Sequence, residues 1–340
     1  MEQIPIINLE NFLKKNNHIE CNKVVDSFTK YGIIIVKDNR VNENDNNNFL
    51  NMMEQYYEQI DFKKDIRPDY SYQVGLTPEL TELPRNHCKK VESLSDKNKP
   101  ITLCPPELDI KNRFLWRIGD RPKVTNFAEL NSEQVIPDNF HNWGNIMNTW
   151  GNKMLTTVKD VISMLEVGLS LEYNTINKLI NNGPHLLAPT GSDFNKYNKL
   201  NTVLAGYHYD ISFMTIHGKS RFPGLYIWLK NGEKVLVTIP DGCLLIQAGK
   251  QLEYLTGGII QAGFHEVVIS PETINKIEEK NKKKESLWRV SSTLFTHIAS
   301  DVVLEPLKHL ITIDNKDLYK PLYAGNFVRE ELQKIKLGKI

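Results

Sequence analysis

The segment TVLAGYHYDISFMTIHGK, residues 202–219, sets two histidines and an aspartate among aromatic and aliphatic neighbours. His208 and Asp210 are two positions apart, so in an extended chain both side chains leave one face. His217 follows His208 by nine positions, an odd offset that turns it to the opposite face of an unbroken strand, and it reads as structural or surface. The texture continues downstream: GLYIWLKNGEKVLVTIP, GCLLIQAG, IIQAGFHEVVIS and SLWRVSSTLFTHIAS are short apolar runs separated by turn residues. Asn231-Gly232 marks a hairpin between two of these runs. Several short strands at such spacing predict a sandwich or jelly-roll barrel.

Upstream the pattern differs. IPIINL, residues 4–9, reads as a short strand and is followed by helical spacing that ends at Gly32. GIIIVKD at 32–38 reads as a buried strand and 47–60 as a helix, whereas 62–140 is rich in proline and polar residues and predicts irregular structure. Ile146, Trp150, Met154, Val158, Val161 and Leu165 recur at three- and four-residue steps, which predicts a long amphipathic helix over 143–168. The tail LYAGNFVREELQKIKLGKI reads as a surface helix. The expected division is an N-terminal helical and irregular region at 1–140, a supporting helix at 141–182, a jelly-roll core at 183–305 and a helical tail at 306–340.

Lys and Arg total 42 against 41 Asp and Glu in 340 residues, so no net field draws the chain to nucleic acid or an anionic membrane. A small molecule is the expected partner, and nothing in the sequence sets the oligomeric state. Cys21, Cys88, Cys104 and Cys243 are scattered without a short paired spacing, which predicts reduced thiols rather than a disulfide framework. With no leader-like start and no apolar run near ~20 residues, a soluble cytoplasmic protein is expected.

The chemistry depends on what lies beyond His208 and Asp210. His265 sits in the strand-like IIQAGFHEVVIS, and a jelly roll folds such strands back across the barrel. Two histidines and one carboxylate with open positions are the ligand set of non-haem Fe(II) oxygenases. Three protein ligands leave three coordination positions, two for a chelating cosubstrate and one for dioxygen. In Trp288-Arg289-Val290-Ser291, Arg289 and Ser291 share a strand face, where a guanidinium beside a hydroxyl suits a carboxylate, either a ligand's or the protein's own. His297 would share that face only if the strand runs without a bulge. His185 is expected near the barrel mouth, and His18, His87, His141 and His309, in polar contexts, read as bland.

In this order the motifs resemble the non-haem iron, 2-oxoglutarate-dependent dioxygenases of the isopenicillin N synthase-like branch, over nearly the whole chain. IPIINL with KYGIIIVKDNRV is similar to that family's N-terminal region, AGYHYDISFMTI to its HxD segment, PGLYIW with VTIPDGCLLIQAGKQLEYLTGG to the run that follows, GFHEVV to the distal histidine and RVSSTLF to its RxS motif. The resemblance implies a mainly β fold with α, a double-stranded β-helix (jelly-roll, cupin-like) core with N-terminal and flanking helices. It implies Fe(II) on His208, Asp210 and His265, 2-oxoglutarate held by Arg289 and Ser291, and ascorbate as reductant. The activity implied is hydroxylation, desaturation or cyclisation of a small organic substrate by dioxygen, with release of succinate and carbon dioxide. The chain departs from the pattern at His265-Glu266-Val267, where the family has HRV, at Gly257-Gly258, and at LAPTGSDF, which stands in for a tyrosine-bearing cosubstrate segment. Thr190, Ser192 and Tyr207 are the candidate replacement hydroxyls. Two other readings stand beside this one: an iron-dependent oxidase that does not use 2-oxoglutarate, and a non-catalytic barrel acting as a binding protein.

Overall fold

The computed structural model describes residues 4–15, 18–59, 61–312, 315 and 317–338. Fourteen of its strands build two facing sheets. From the N-terminal region come β1 (Ile6–Asn8), β2 (Ile33–Lys37), β3 (Gly75–Thr77) and β4 (Asn112–Ile118). The rest are β5 (His185–Leu187), β6 (Thr190–Asp193), β7 (Val203–Tyr209), β8 (Met214–Gly218), β9 (Leu225–Trp228), β10 (Lys234–Leu236), β11 (Cys243–Ala248), β12 (Phe264–Val268), β13 (Trp288–Val290) and β14 (Ser292–Thr296). The larger sheet runs β1-β2-β11-β8-β14-β5-β4-β6-β13, with β3 beside β4, and the smaller runs β10-β9-β12-β7. This is the expected jelly-roll core.

Strand periodicity explains how the layers stack. In β2 and β11, Ile34, Val36, Leu244 and Ile246 enter the core shared with the helices, while Ile33, Ile35 and Leu245 point across to Ile227 of the smaller sheet. Being buried on both faces, these strands are continuous apolar runs rather than alternating ones. The helix Trp143–Gly168 carries the apolar stripe seen in the sequence and docks it on the outside of the larger sheet. Trp150 there donates its indole N–H to Ser292 Oγ at 2.8 Å, so its one polar atom is satisfied within the core.

The sequence reading and the structure part in several places. The helical spacing before Gly32 is two helices, Leu9–Lys15 and His18–Tyr31. The region 62–140 is mostly irregular, but it contributes the seven-residue β4 to the middle of the larger sheet. The charged stretch after β12 is a helix, Pro271–Lys283, started by Ser270 and Thr273 in a reciprocal capping box with Pro271 at its first turn. Asn231-Gly232 does turn the β9–β10 hairpin, with Gly232 at φ +84°. Among the described residues no helix is long and apolar enough to cross a membrane. The cysteines correct the expectation of reduced thiols, since Cys88 and Cys104 form a disulfide while Cys243 is a buried free thiol. A loop that returns on itself brings those two Cα atoms to 5.5 Å, which sequence spacing does not reveal.

One packing contact fixes the segment LAPTGSDF. Tyr57 donates its hydroxyl to Pro189 O at 2.7 Å, and its ring covers Gly191 so closely that an added Cβ would lie 2.6 Å from Cδ2. Replacing Gly191 by Val is expected to cost about 1–3 kcal/mol through overpacking against that ring. Urea denaturation measures this, and an unchanged midpoint would mean that Tyr57 does not pack on β6 as described.

Candidate metal centre

Strand β7 is the edge of the smaller sheet, and its outward N–H groups are covered by side chains from the irregular region. Gly206 N donates to Asp109 Oδ1 and Tyr207 N to Thr102 Oγ1, each at 2.8 Å. An edge so covered is closed to pairing with another chain and keeps one position. On its inner side β7 pairs with β12, setting His265 opposite His208. Directly opposed side chains leave the same face, and the two imidazole centroids are 4.2 Å apart. Asp210 follows β7, its carbonyl fixed by Lys250 N at 2.8 Å.

The three side chains converge. Asp210 Oδ1 is 3.7 Å from His208 Nε2 and 3.8 Å from His265 Nε2, and one donor atom from each residue lies within 4.8 Å of the others. Their neighbours orient these atoms. His208 Nδ1 contacts Gly206 O at 2.6 Å, so its proton belongs there and the Nε2 lone pair faces Asp210. Asp210 Oδ2 accepts from Thr215 Oγ1 at 2.6 Å, which leaves Oδ1 for a cation. Burial alone would push the Asp210 carboxyl up, but the imidazoles of His265 and His208 together with the Thr215 hydroxyl hold it below the usual range. Burial and then the neighbouring His265 push His208 down to about 3, so it is neutral and able to ligate. One carboxylate beside two imidazole nitrogens suits a divalent cation.

Two small cavities, each of about 80 Å³, meet at this cluster, with His208, Asp210, Arg113 and Phe295 in the walls of both. The first also contains His265, Arg289 and Ser291, so the five residues selected from sequence border one space. Arg289 is buried, and its one hydrogen bond among the described residues is from Nε to Pro223 O at 3.4 Å. Burial pushes it down to about 10, and among the described residues no carboxylate partners it. A buried cation without a counter-ion is costly, so the site is built to receive an anion. Ser291 Oγ accepts from Thr190 N at 3.0 Å, which ties the altered LAPTGSDF segment to the same wall. Thr190 and Ser192 border this cavity, while Tyr207 packs on the outer face against Trp228 and Phe264.

Several residues lining the cavities were not singled out by the sequence reading. Of the two readings of His217, structural or surface, its half-buried position fits the first. His217 borders the Arg289 cavity, since the chain breaks strand geometry between β7 and β8 and the parity argument no longer applies. His87 and His297 border the second cavity, and His185 is buried behind it, where its Nδ1 accepts from His297 N. His18, His141 and His309 are exposed as expected. Lys111 and Arg113 bring two further cations to the site, neutralised by Asp109 and Glu82. Burial would raise the Glu82 carboxyl, but Arg113 and Lys111 hold it down at about 2.

Residues 179–298 match the sequence model of the 2OG-Fe(II) oxygenase superfamily. The matched segment, about a third of the chain, is similar to the oxygenase domain of that superfamily. That likeness carries the expectation of Fe(II) and 2-oxoglutarate. Scopoletin 8-hydroxylase of Arabidopsis thaliana is 27% identical over 187 residues, 52% of this chain and 46% of the relative, so the chain spans about half the length of that curated relative. Among solved structures, a 2OG-Fe(II) oxygenase family protein from Caulobacter crescentus has a TM-score of 0.76 at 19% identity, covering 98% of this chain and 99% of its own. A full-length Neurospora crassa protein solved in complex with alpha-KG has 0.73 at 16%, with 97% and 96% covered. These likenesses, spanning nearly the whole chain, establish its fold.

Behind the centre, burial holds His185 well below 6.5 and His297 at about 3. In the unfolded chain both gain a proton near pH 6.5, whereas folded His297 does so only near 3. Stability is therefore complete above about pH 6.5 and is lost towards pH 3, by about 1.4 kcal/mol per pH unit for each histidine. Urea midpoints at pH 7 and pH 5 test this. The lower value is expected at pH 5, with a smaller drop in His297→Gln, and equal drops in the two proteins would contradict it.

Proposed function

We propose that the chain is an Fe(II)- and 2-oxoglutarate-dependent dioxygenase that oxidises a small organic substrate, releasing succinate and carbon dioxide. His208, Asp210 and His265 hold the iron, and Arg289 with Ser291 holds the distal carboxylate of 2-oxoglutarate. Bound iron supplies the site for activating dioxygen against a C–H bond, with ascorbate as the reductant that keeps it ferrous. The remaining work belongs to side chains. Thr215 fixes which Asp210 oxygen faces the metal, and the Gly206 carbonyl fixes the His208 tautomer. Apolar walls at Leu115, Leu186 and Phe295 keep water from the second cavity, where the substrate carbon must sit close to the metal, since small misplacements cost large factors in rate.

The observation that carries this reading is the unpaired buried Arg289 in the same cavity as the ligand cluster. A barrel that used no dicarboxylate cosubstrate would bury that guanidinium without return. Hydroxylation, desaturation and ring closure all fit such a site.

Anaerobic addition of Fe(II) and 2-oxoglutarate is expected to give a weak visible charge-transfer band that His265→Ala abolishes. Arg289→Gln is expected to raise the KM for 2-oxoglutarate by about a hundredfold, the size of losing one buried charge-assisted contact. Succinate formation measures it. A wild type without the band, or a KM indifferent to Arg289, would overturn the assignment.

A further inference from the structure

The cavity beyond the ligand cluster is too small for a whole substrate. Ligand pockets usually enclose ~300–1,000 Å³, and this chamber has about 80 Å³. A third cavity of about 430 Å³ lies on the outer face of the smaller sheet, directly behind the metal centre. Its wall includes Tyr207 and Tyr209, which flank His208, and Phe264, which precedes His265.

Arg85, His87 and Tyr209 belong to both the outer cavity and the inner chamber, so the partition is a single layer of side chains. Arg85 is held there by Glu331 at 2.6 Å and by the Tyr209 hydroxyl at 2.6 Å. His87 packs edge-on against Phe264, with ring centroids 4.9 Å apart, and its buried Nε2 has no hydrogen-bond partner among the described residues. No bond through that nitrogen has to break for the ring to move.

The lining of the outer cavity has a definite chemistry. Tyr31, Trp228, Phe264 and Tyr209 present aromatic surface. Lys250 is paired with Glu253 and Arg85 with Glu331, but Lys90 and Lys230 have no carboxylate partner among the described residues. Lys90 Nζ lies 5.3 Å from the Phe264 ring centroid, at the edge of the aromatic wall. Flat apolar walls with two uncompensated cations favour a flat anion.

We propose that the outer cavity is the recognition half of the substrate site, taking a planar ring system that bears an anionic group, while the inner chamber takes only the end to be oxidised. This rests on the oxygenase reading above.

Calorimetry with protein saturated in Fe(II) and 2-oxoglutarate under anaerobic conditions tests it, using 2-naphthoate and the neutral 2-naphthamide as probes. Saturating 2-oxoglutarate keeps the carboxylate probe away from Arg289. The naphthoate is expected to bind about tenfold more tightly, and the double replacement Lys90→Gln/Lys230→Gln to remove that preference. Both lysines are exposed, so the variant retains the fold, and an unchanged visible band verifies this. Naphthoate is also expected to shift the band, since its ring presses on Tyr209 and Phe264 beside the ligands. Equal affinities, or a preference that survives the double replacement, would overturn the proposal. Tight binding without any change in the band would make the outer cavity an independent site and would overturn it too. Absence of the band itself sinks the oxygenase reading instead, so the two failures are distinguishable.

Discussion

The pairing of β7 with β12 is the constraint on which the site depends. It sets His265 against His208, and it is held from outside by one short polar chain. Glu266, next to His265, is fully buried and accepts from Ile101 N at 3.0 Å and Thr102 Oγ1 at 2.9 Å. Thr102 in turn accepts from Tyr207 N, next to His208. The residues beside the two histidines are thus cross-linked through a loop that belongs to neither strand. Lys234 Nζ supplies the counter-charge to Glu266 at 2.7 Å, without which a buried carboxylate would be costly.

Charge balance separates the parts of the site. Around the ligand cluster the carboxylates and cations neutralise one another, as in Asp109 and Glu82 with Lys111 and Arg113. Arg289 is the exception, and that asymmetry is what makes its cavity a place for an anion. The outer cavity repeats the pattern at the surface, with paired charges at the partition and unpaired lysines towards solvent. Electrostatics of this kind sorts ligands more than it adds stability.

Much of the cluster was legible in the sequence because His208 and His265 sit on period-two strands and Asp210 directly follows one. His208 and Asp210 could be matched from spacing, and His265 and Arg289 from motif order. The surrounding shell was not legible, since it comes from residues distant in sequence. In KNRFLWRI the alternation of Lys111, Arg113, Leu115 and Arg117 with Asn112, Phe114, Trp116 and Ile118 is a strand signal, hidden by the proline-rich stretch around it. His217 faces the same cavity despite its odd offset, because parity holds only along one strand and the chain turns between His208 and His217. Cys88 and Cys104 likewise meet through loop geometry that no spacing rule contains.

The central claim is that this strand pairing makes one three-ligand metal site. Crystals grown anaerobically with Fe(II) would test it most directly through the iron anomalous signal. The account predicts one strong peak, about 2.0–2.2 Å from Nε2 of His208, Nε2 of His265 and a carboxylate oxygen of Asp210. A peak bound through only one of these histidines, or one closed off by a fourth protein ligand, would contradict it.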